Sequence, residues 1–190
     1  MPRLIPPVLA PGSINSRDQP FIDINEELLL RPWTVDDASV VVAGYSDPDI
    51  QRWMPYSYER DEAVGVIDKW NDEWRREAGA CWAITQCSGD TAIGRIALQD
   101  FDLISGSAEL AYWVLPQFRG AGVASLALAA LSNWTFEDLA LHRLELNHSV
   151  ENLASCIVAV RAQFETEGTA RSAGIYADGW HDVHLHGRFK

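Results

Sequence analysis

The chain has 190 residues and carries 15 Lys and Arg against 27 Asp and Glu, a net charge of −12 at neutral pH. Hydrophobic residues make up 47% and charged residues 22%, the balance of one globular domain with a sizeable core. So acidic a chain is a poor partner for nucleic acid, whose phosphates need a basic patch, but it accommodates a cationic substrate. No apolar run reaches the length of a membrane span, and the proline-broken start "MPRLIPPVLAPG" is unlike a secretory signal. The three cysteines, Cys81, Cys87 and Cys156, show no CxxC spacing; a reducing cytoplasm is expected, without disulfides.

Residues 1–25 hold five prolines among scattered polar residues and are expected to form an extended arm, with the domain proper at 26–190. "EELLLRP" (26–32) reads as a first strand. "TVDDASVVVAGYSD" (34–47) opens with a Thr cap and two acids, so it reads as a helix, followed by a short helical turn at 47–54. In 60–79 the apolar positions 63, 64, 67, 70 and 74 share one helical face, with Gly79 as the expected stop and Trp70 and Trp74 as core. "ACWAITQC" (80–87) and "TAIGRIALQDF" (91–101) form a hairpin about "SGD". Next come a strand, "AELAYWVL" (108–115), a long helix (122–139), a strand (142–150) and a helix (151–164). Two closing strands, 167–176 and 179–189, complete an α/β pattern of a mixed sheet flanked by helices.

Between the strand ending at Leu115 and the long helix stands "LPQFRGAGVA" (115–124). Glycines at 120 and 122 clear side chains from a helix start whose free N–H groups and positive dipole end suit an anion. The spacing is neither a Walker loop, which needs Gly-Lys-Ser/Thr, nor GxGxxG, whose third glycine is missing.

"QFRGAG" (117–122) resembles the Q/R-x-x-G-x-G/A motif of the GNAT superfamily of acyl-CoA-dependent N-acetyltransferases. "HRLELNHSVENLAS" (142–155), with its N-x-x-S, and "EELLLRPWTVDDA" (26–38) are similar to the RimJ/RimL-type branch. The resemblance implies a seven-stranded mixed sheet in which the fourth and fifth strands (108–115 and 142–150) splay apart. It implies acetyl-CoA as cosubstrate, held at Gln117, Arg119, Gly120, Ala121, Gly122, Val123 and Ala124. Its pantetheine arm would lie along the backbone of Trp113, Val114 and Leu115, with Asn152 and Ser155 beside it. Glu109 matches a general base of the superfamily, and Ser155 matches a serine that protonates the leaving thiolate. The tyrosine that many members use one turn later is Ala159 here. A glutamate frequent in the branch corresponds to Gly174, and the usual "GF" after the helix is "QF" (163–164).

On the acceptor side the same resemblance places the loop with Trp53, Tyr56 and Tyr58 over the acceptor pocket; Asp100, at the end of the strand 91–101, is a further candidate to face it, and His148 stands near the slot as a second base. A ring of acids, among them Asp47, Asp49, Glu59, Asp61 and Glu62, would draw in a protonated amine. "HDVHLH" (181–186) places Asp182, His184 and His186 on one strand face, but alternation with Val183 and Leu185 accounts for it as polar-out and apolar-in, so no metal is expected. The implied activity is acetyl transfer to a primary amine, either a protein N-terminus or a small molecule, in a chain that can form a homodimer. Two other readings share the fold: transfer of another acyl group such as succinyl, and a coenzyme A-binding sensor or partner module.

Overall fold

A computed structural model of the chain describes residues 4–190; residues 1–3 of the expected arm lie outside it. The strands are β1 (Ile22–Asp23), β2 (Leu28–Pro32), β3 (Ala80–Gln86), β4 (Ala92–Asp102), β5 (Ser107–Val114), β6 (Arg143–Ser149), β7 (Glu165–Tyr176) and β8 (Gly179–Phe189). The helices are α1 (Ala38–Gly44), α2 (Pro48–Trp53), α3 (Arg60–Arg75), α4 (Val123–Glu137) and α5 (Leu153–Arg161). The strands form one sheet in the order β1-β2-β3-β4-β5-β6-β8-β7. Every neighbouring pair is antiparallel except β5 and β6, which run parallel.

The sheet has eight strands rather than the expected seven. The addition is β1, two residues of the segment read as an arm, where Ile22 pairs with Leu30. Much of that segment lies against the domain. Leu9, Ile14 and Ile22 are buried in the main core, Ile14 fully, at 0% exposure. The indole N–H groups of Trp74 and Trp82 donate to the carbonyls of Arg17 and Pro20, both at 2.8 Å. Apolar residues among the prolines give the segment a reason to stay down. Glu77 fastens it by accepting from the N–H groups of Gly12 and Ile14, both at 2.7 Å. Glu77 also corrects the end of α3: it takes the left-handed turn itself, at φ 53°, two residues before the glycine expected to do so.

Side chains of β3 alternate between two cores, as a strand covered on both faces requires. Trp82 and Ile84 join Leu110, Leu128, Leu131 and Leu144 beneath α4 and α5. Cys81 and Ala83 join Trp33, Ile67, Trp70 and Trp113 beneath α1 and α3. Trp70 and Trp74 are thus both core residues, but of different cores, because α3 runs across the boundary. At one edge of the second core, Arg31 forks onto Asp37, with bonds of 2.7 and 2.9 Å and side chains only 6% and 8% exposed.

The parallel pair sets the site. β5 and β6 are in register from Ser107 with Arg143 to Glu109 with Glu145. Pairing stops there, although β5 continues to Val114 and β6 to Ser149. The strands therefore part over the second half of their length.

Candidate active site

A cleft of about 1200 Å³ opens where β5 and β6 part. Its wall includes Gly120, Gly122 and Val123 at the tip of α4, Asn152 and Ser155 on α5, and Glu109 and Tyr112 on β5.

At the bottom of α4 the two glycines adopt left-handed backbone, with φ of 82° at Gly120 and 79° at Gly122. A Cβ added at either would meet no protein atom within 4 Å, so the space beside them is open. Gly122 is the N-cap and carries no side chain to cap the helix. The first-turn N–H groups at Val123 and Ala124 therefore face that space without the usual side-chain partner, a ready seat for phosphate oxygens. The donor set fits the diphosphate of coenzyme A.

The other expected coenzyme residues divide. Leu115 donates its N–H to Ile93 at 2.9 Å. The carbonyl of Trp113 lies against Gly94, 2.6 Å from where a Cβ there would sit. Both therefore spend main-chain groups on β4. Antiparallel alternation then turns the main chain of Val114 and of Tyr112 toward the slot. Gln117 and Ala121 are exposed on the loop. Arg119, expected among the residues that hold the coenzyme, is turned back. Its Nε donates to Val114 O at 3.0 Å, and its terminal nitrogens reach Asp47 at 2.5 Å and Asp49 at 2.9 Å. It ties the glycine loop to the start of α2, where Asp47 also caps the helix by accepting from Ile50 N.

Glu109 is half-buried just where the strands part, and its carboxylate accepts from Asn147 Nδ2 at 3.2 Å. Burial pushes its pKa above the usual carboxylate range, against the Asn147 hydrogen bond, and the charges of Asp100 and Glu145 push the same way. Asp100 occupies a bulge in β4, left-handed at φ 54°, exposed and on the cleft wall. Opposite, Asn152 caps α5 by accepting from Ser155 N at 3.1 Å. The Tyr112 hydroxyl crosses the gap and donates to Ser155 Oγ at 3.1 Å. Burial raises the Tyr112 phenol to about 12, so it stays protonated and leaves Ser155 its own hydrogen to give away. Tyr112 is absent from the expected set; its signal was only its place, three residues after Glu109 on a strand already singled out.

On the α1–α3 side, Trp53 packs edge-on against Tyr176 with centroids 5.8 Å apart, beneath Arg52. Tyr56 is exposed and stacks beside Tyr58, while Tyr45 stands edge-on to Tyr58 at 4.9 Å. These rings line the cleft together with Arg95. Arg95 is only 7% exposed, lies 4.8 Å over the Trp70 ring and donates its Nε to Cys81 Sγ. Among the described residues no carboxylate forms an ion pair with it. Tyr58 comes from the same loop as Tyr56; Tyr45, Tyr176 and Arg95 come from three other stretches, which is why no local motif flagged them.

His148 is not presented to an acceptor as a free base. It is buried, its Nδ1 is bonded to Ser149 O at 2.8 Å, and its Nε2 lies 3.0 Å from His186 Nε2. Burial lowers its pKa. The alternation expected of 181–186 also fails, since His186 is 1% exposed while Asp182 turns away to accept from Ser172 N. Gly174 has a steric reason: a Cβ there would come within 2.7 Å of the Tyr176 ring and 3.0 Å of Val183. The turn after α5 forms without its usual glycine. Gln163 takes φ 66°, and Phe164 N–H closes onto Ala159 O at 3.0 Å.

A parted parallel pair beside a glycine-opened helix start is the coenzyme-binding arrangement that the GNAT resemblance implies. Residues 27–165 match the family described as the acetyltransferase (GNAT) domain, and the chain belongs to that family. Among its relatives is YdaF of Bacillus subtilis (strain 168), named for a proposed ribosomal N-acetyltransferase activity. It is 27% identical over 168 residues, 83% of this chain and 88% of its own. The ribosomal-protein-serine acetyltransferase of Escherichia coli (strain K12) is 32% identical over 99 residues, 52% of this chain and 55% of its own. The structure of RimL, a ribosomal L7/L12 alpha-N-protein acetyltransferase, in complex with coenzyme A superposes with a TM-score of 0.81 at 22% identity. That match covers 90% of this chain and 98% of the other.

Proposed function

We propose that the protein transfers the acetyl group of acetyl-CoA to a primary amine, with the N-terminus of a protein or peptide as the preferred acceptor. The observation that carries this reading is the parting of β5 and β6 directly above the uncapped tip of α4, with Glu109 and Ser155 on opposite sides of the gap. When bound, the coenzyme supplies an acetyl thioester, an activated carbonyl. The first-turn amides of α4 with Gly120 and Gly122 hold the diphosphate, and the slot-facing main chain of Tyr112 and the N–H of Val114, whose carbonyl already accepts from Arg119, align the pantetheine arm. Glu109, its basicity raised by burial, takes a proton from the incoming ammonium directly or through water. Ser155, receiving the Tyr112 hydrogen bond, gives its proton to the departing sulfur. The rings of Tyr45, Tyr56, Tyr58 and Trp53 suit a cationic amine, whose charge is attracted to aromatic faces. Arg95 offers a counter-ion to an acidic group elsewhere on the acceptor.

The relatives named for ribosomal proteins support a protein N-terminus as acceptor. No helix among the described residues is long and apolar enough to cross a membrane. The test is thiol release from acetyl-CoA over a panel of N-terminal peptides, amino sugars and amino-acid derivatives, repeated with succinyl-CoA. Turnover of peptides above the small amines is the expected result. Tight coenzyme binding without turnover of any amine would replace this reading with a sensor, and preference for the succinyl thioester would change the acyl group.

A further inference from the structure

Behind the wall of the cleft, four side chains from three elements converge: His148 of β6, Cys156 of α5, and His184 and His186 of β8. The pairing of β6 with β8 makes the histidine group, because His148 sits directly across from His184, with His186 two residues along the same strand. One donor atom from each lies within 4.8 Å of all the others. The two Nε2 atoms of His148 and His186 are 3.0 Å apart, and Cys156 Sγ is 3.6 Å from His184 Nδ1. A tetrahedral zinc ion, with nitrogen at about 2.0–2.1 Å and sulfur at about 2.3 Å, keeps its donors about 3.3–3.6 Å apart. The two closest separations, 3.0 and 3.6 Å, bracket that range.

We propose that these four residues form a binding site for a zinc-type divalent cation, built from three imidazoles and one thiolate. Second contacts already orient the ligands. His148 Nδ1 must donate to the Ser149 carbonyl, since a carbonyl only accepts, and this leaves Nε2 as a lone pair aimed into the cluster. His186 Nδ1 lies 3.3 Å from Thr166 Oγ1, so the hydrogen now shared between the two Nε2 atoms can move to Nδ1 and be accepted there. No carboxylate belongs to the group, so nothing in it favours imidazolium over metal. On binding, the Cys156 S–H bond breaks, its proton leaves to solvent, and a sulfur–metal bond forms. Four protein donors fill a tetrahedral shell, so the site is structural. It staples α5, which carries Ser155 next to Cys156, to β6 and β8. A second acidic group of Glu151, Asp178 and His181 is a weaker match, since Arg52 already neutralises it at 2.6 Å from Glu151 and 3.6 Å from Asp178.

The experiment titrates the chelator-stripped full chain with cobalt(II) and then zinc(II), and needs no turnover, so it stands apart from the proposed chemistry. One equivalent of cobalt should give thiolate-to-cobalt charge transfer and d–d bands of tetrahedral intensity, both erased by zinc. Cys156→Ser should abolish the charge-transfer band, and His184→Ala should weaken binding at least about tenfold. Cys87→Ser and His181→Ala should leave the spectrum intact. Zinc at a hundred times its dissociation constant should raise Tm by about 5–10 °C. No stoichiometric binding, a charge-transfer band that survives Cys156→Ser, or binding lost in His181→Ala but kept in His184→Ala would each overturn the proposal. Cys156→Ser is nearly isosteric, so the thiolate test survives even if the histidine variant fails to fold.

Discussion

Gly122→Ala separates the coenzyme seat from mere loop geometry. The new Cβ meets no protein atom within 4 Å, so inside the protein its only cost is the left-handed backbone at φ 79°. That conformation costs an L-residue about 1–2 kcal/mol, or about 2–8 °C in Tm for a chain of this size. The same Cβ enters the space assigned to the diphosphate. Losing one amide bond to a charged oxygen removes about 1.5–3 kcal/mol, so coenzyme A should bind about 10–150-fold more weakly. Calorimetric titration with coenzyme A, beside thermal unfolding of the free protein, reads both quantities. Gly65→Ala is the control: it lies exposed within α3 with open space around it and ordinary φ, so it should stabilise by about 1 kcal/mol and leave coenzyme affinity unchanged. If Gly122→Ala folds with the small Tm loss and still binds coenzyme A within about twofold of the parent, the diphosphate does not sit on α4.

Three further outcomes follow from the same geometry. Glu109→Gln should lower kcat by about 10²–10⁴-fold. Because burial raises the Glu109 pKa, the parent rate should climb as pH rises through that raised value; the variant should lack this acid limb, and an unchanged profile would assign the base elsewhere. Ser155→Ala should cost more in kcat than Tyr112→Phe, which removes one hydrogen bond worth about 0.5–1.5 kcal/mol, and the double variant should be no slower than Ser155→Ala; additive losses would mean the two act separately. Asp37→Ala should destabilise by about 3 kcal/mol in urea unfolding, since it strips a buried Arg31 of its forked partner while Asp90 remains. Burial alone would raise the Asp37 pKa, yet the bonds from Arg31 and Thr34 hold it below 3.8. Its share of stability is thus full above about pH 4 and lost as pH falls through the lower folded value, a dependence the variant should lack.

Local pattern was enough for most of the scaffold. Helix periodicity in 60–75, strand alternation in 80–102 and glycines placed between a strand and a helix are short-range constraints, set by backbone sterics and by which face must be buried. They sufficed for the α/β sheet and for the glycine-opened helix start at Gly120 and Gly122; the parting strands, Glu109, Asn152 and Ser155 were legible only through the resemblance to GNAT sequences. What crosses large sequence distance was not legible. The segment before residue 26 looked like an arm because of its prolines; what holds it down lies far along the chain, in Trp74, Trp82, Glu77 and the core that receives Leu9, Ile14 and Ile22. Arg119 looked like a free charge until α2 presented Asp47 and Asp49. Tyr112 became notable only when α5 brought Ser155 to it. The histidines of 181–186 read as a wet strand face, because their neighbours His148 and Cys156 arrive through strand register and helix docking. Backbone propensity and periodicity are properties of adjacent residues and can be read from order alone; hydrogen bonds, ion pairs and ligand sets depend on distances that exist only after the chain has packed.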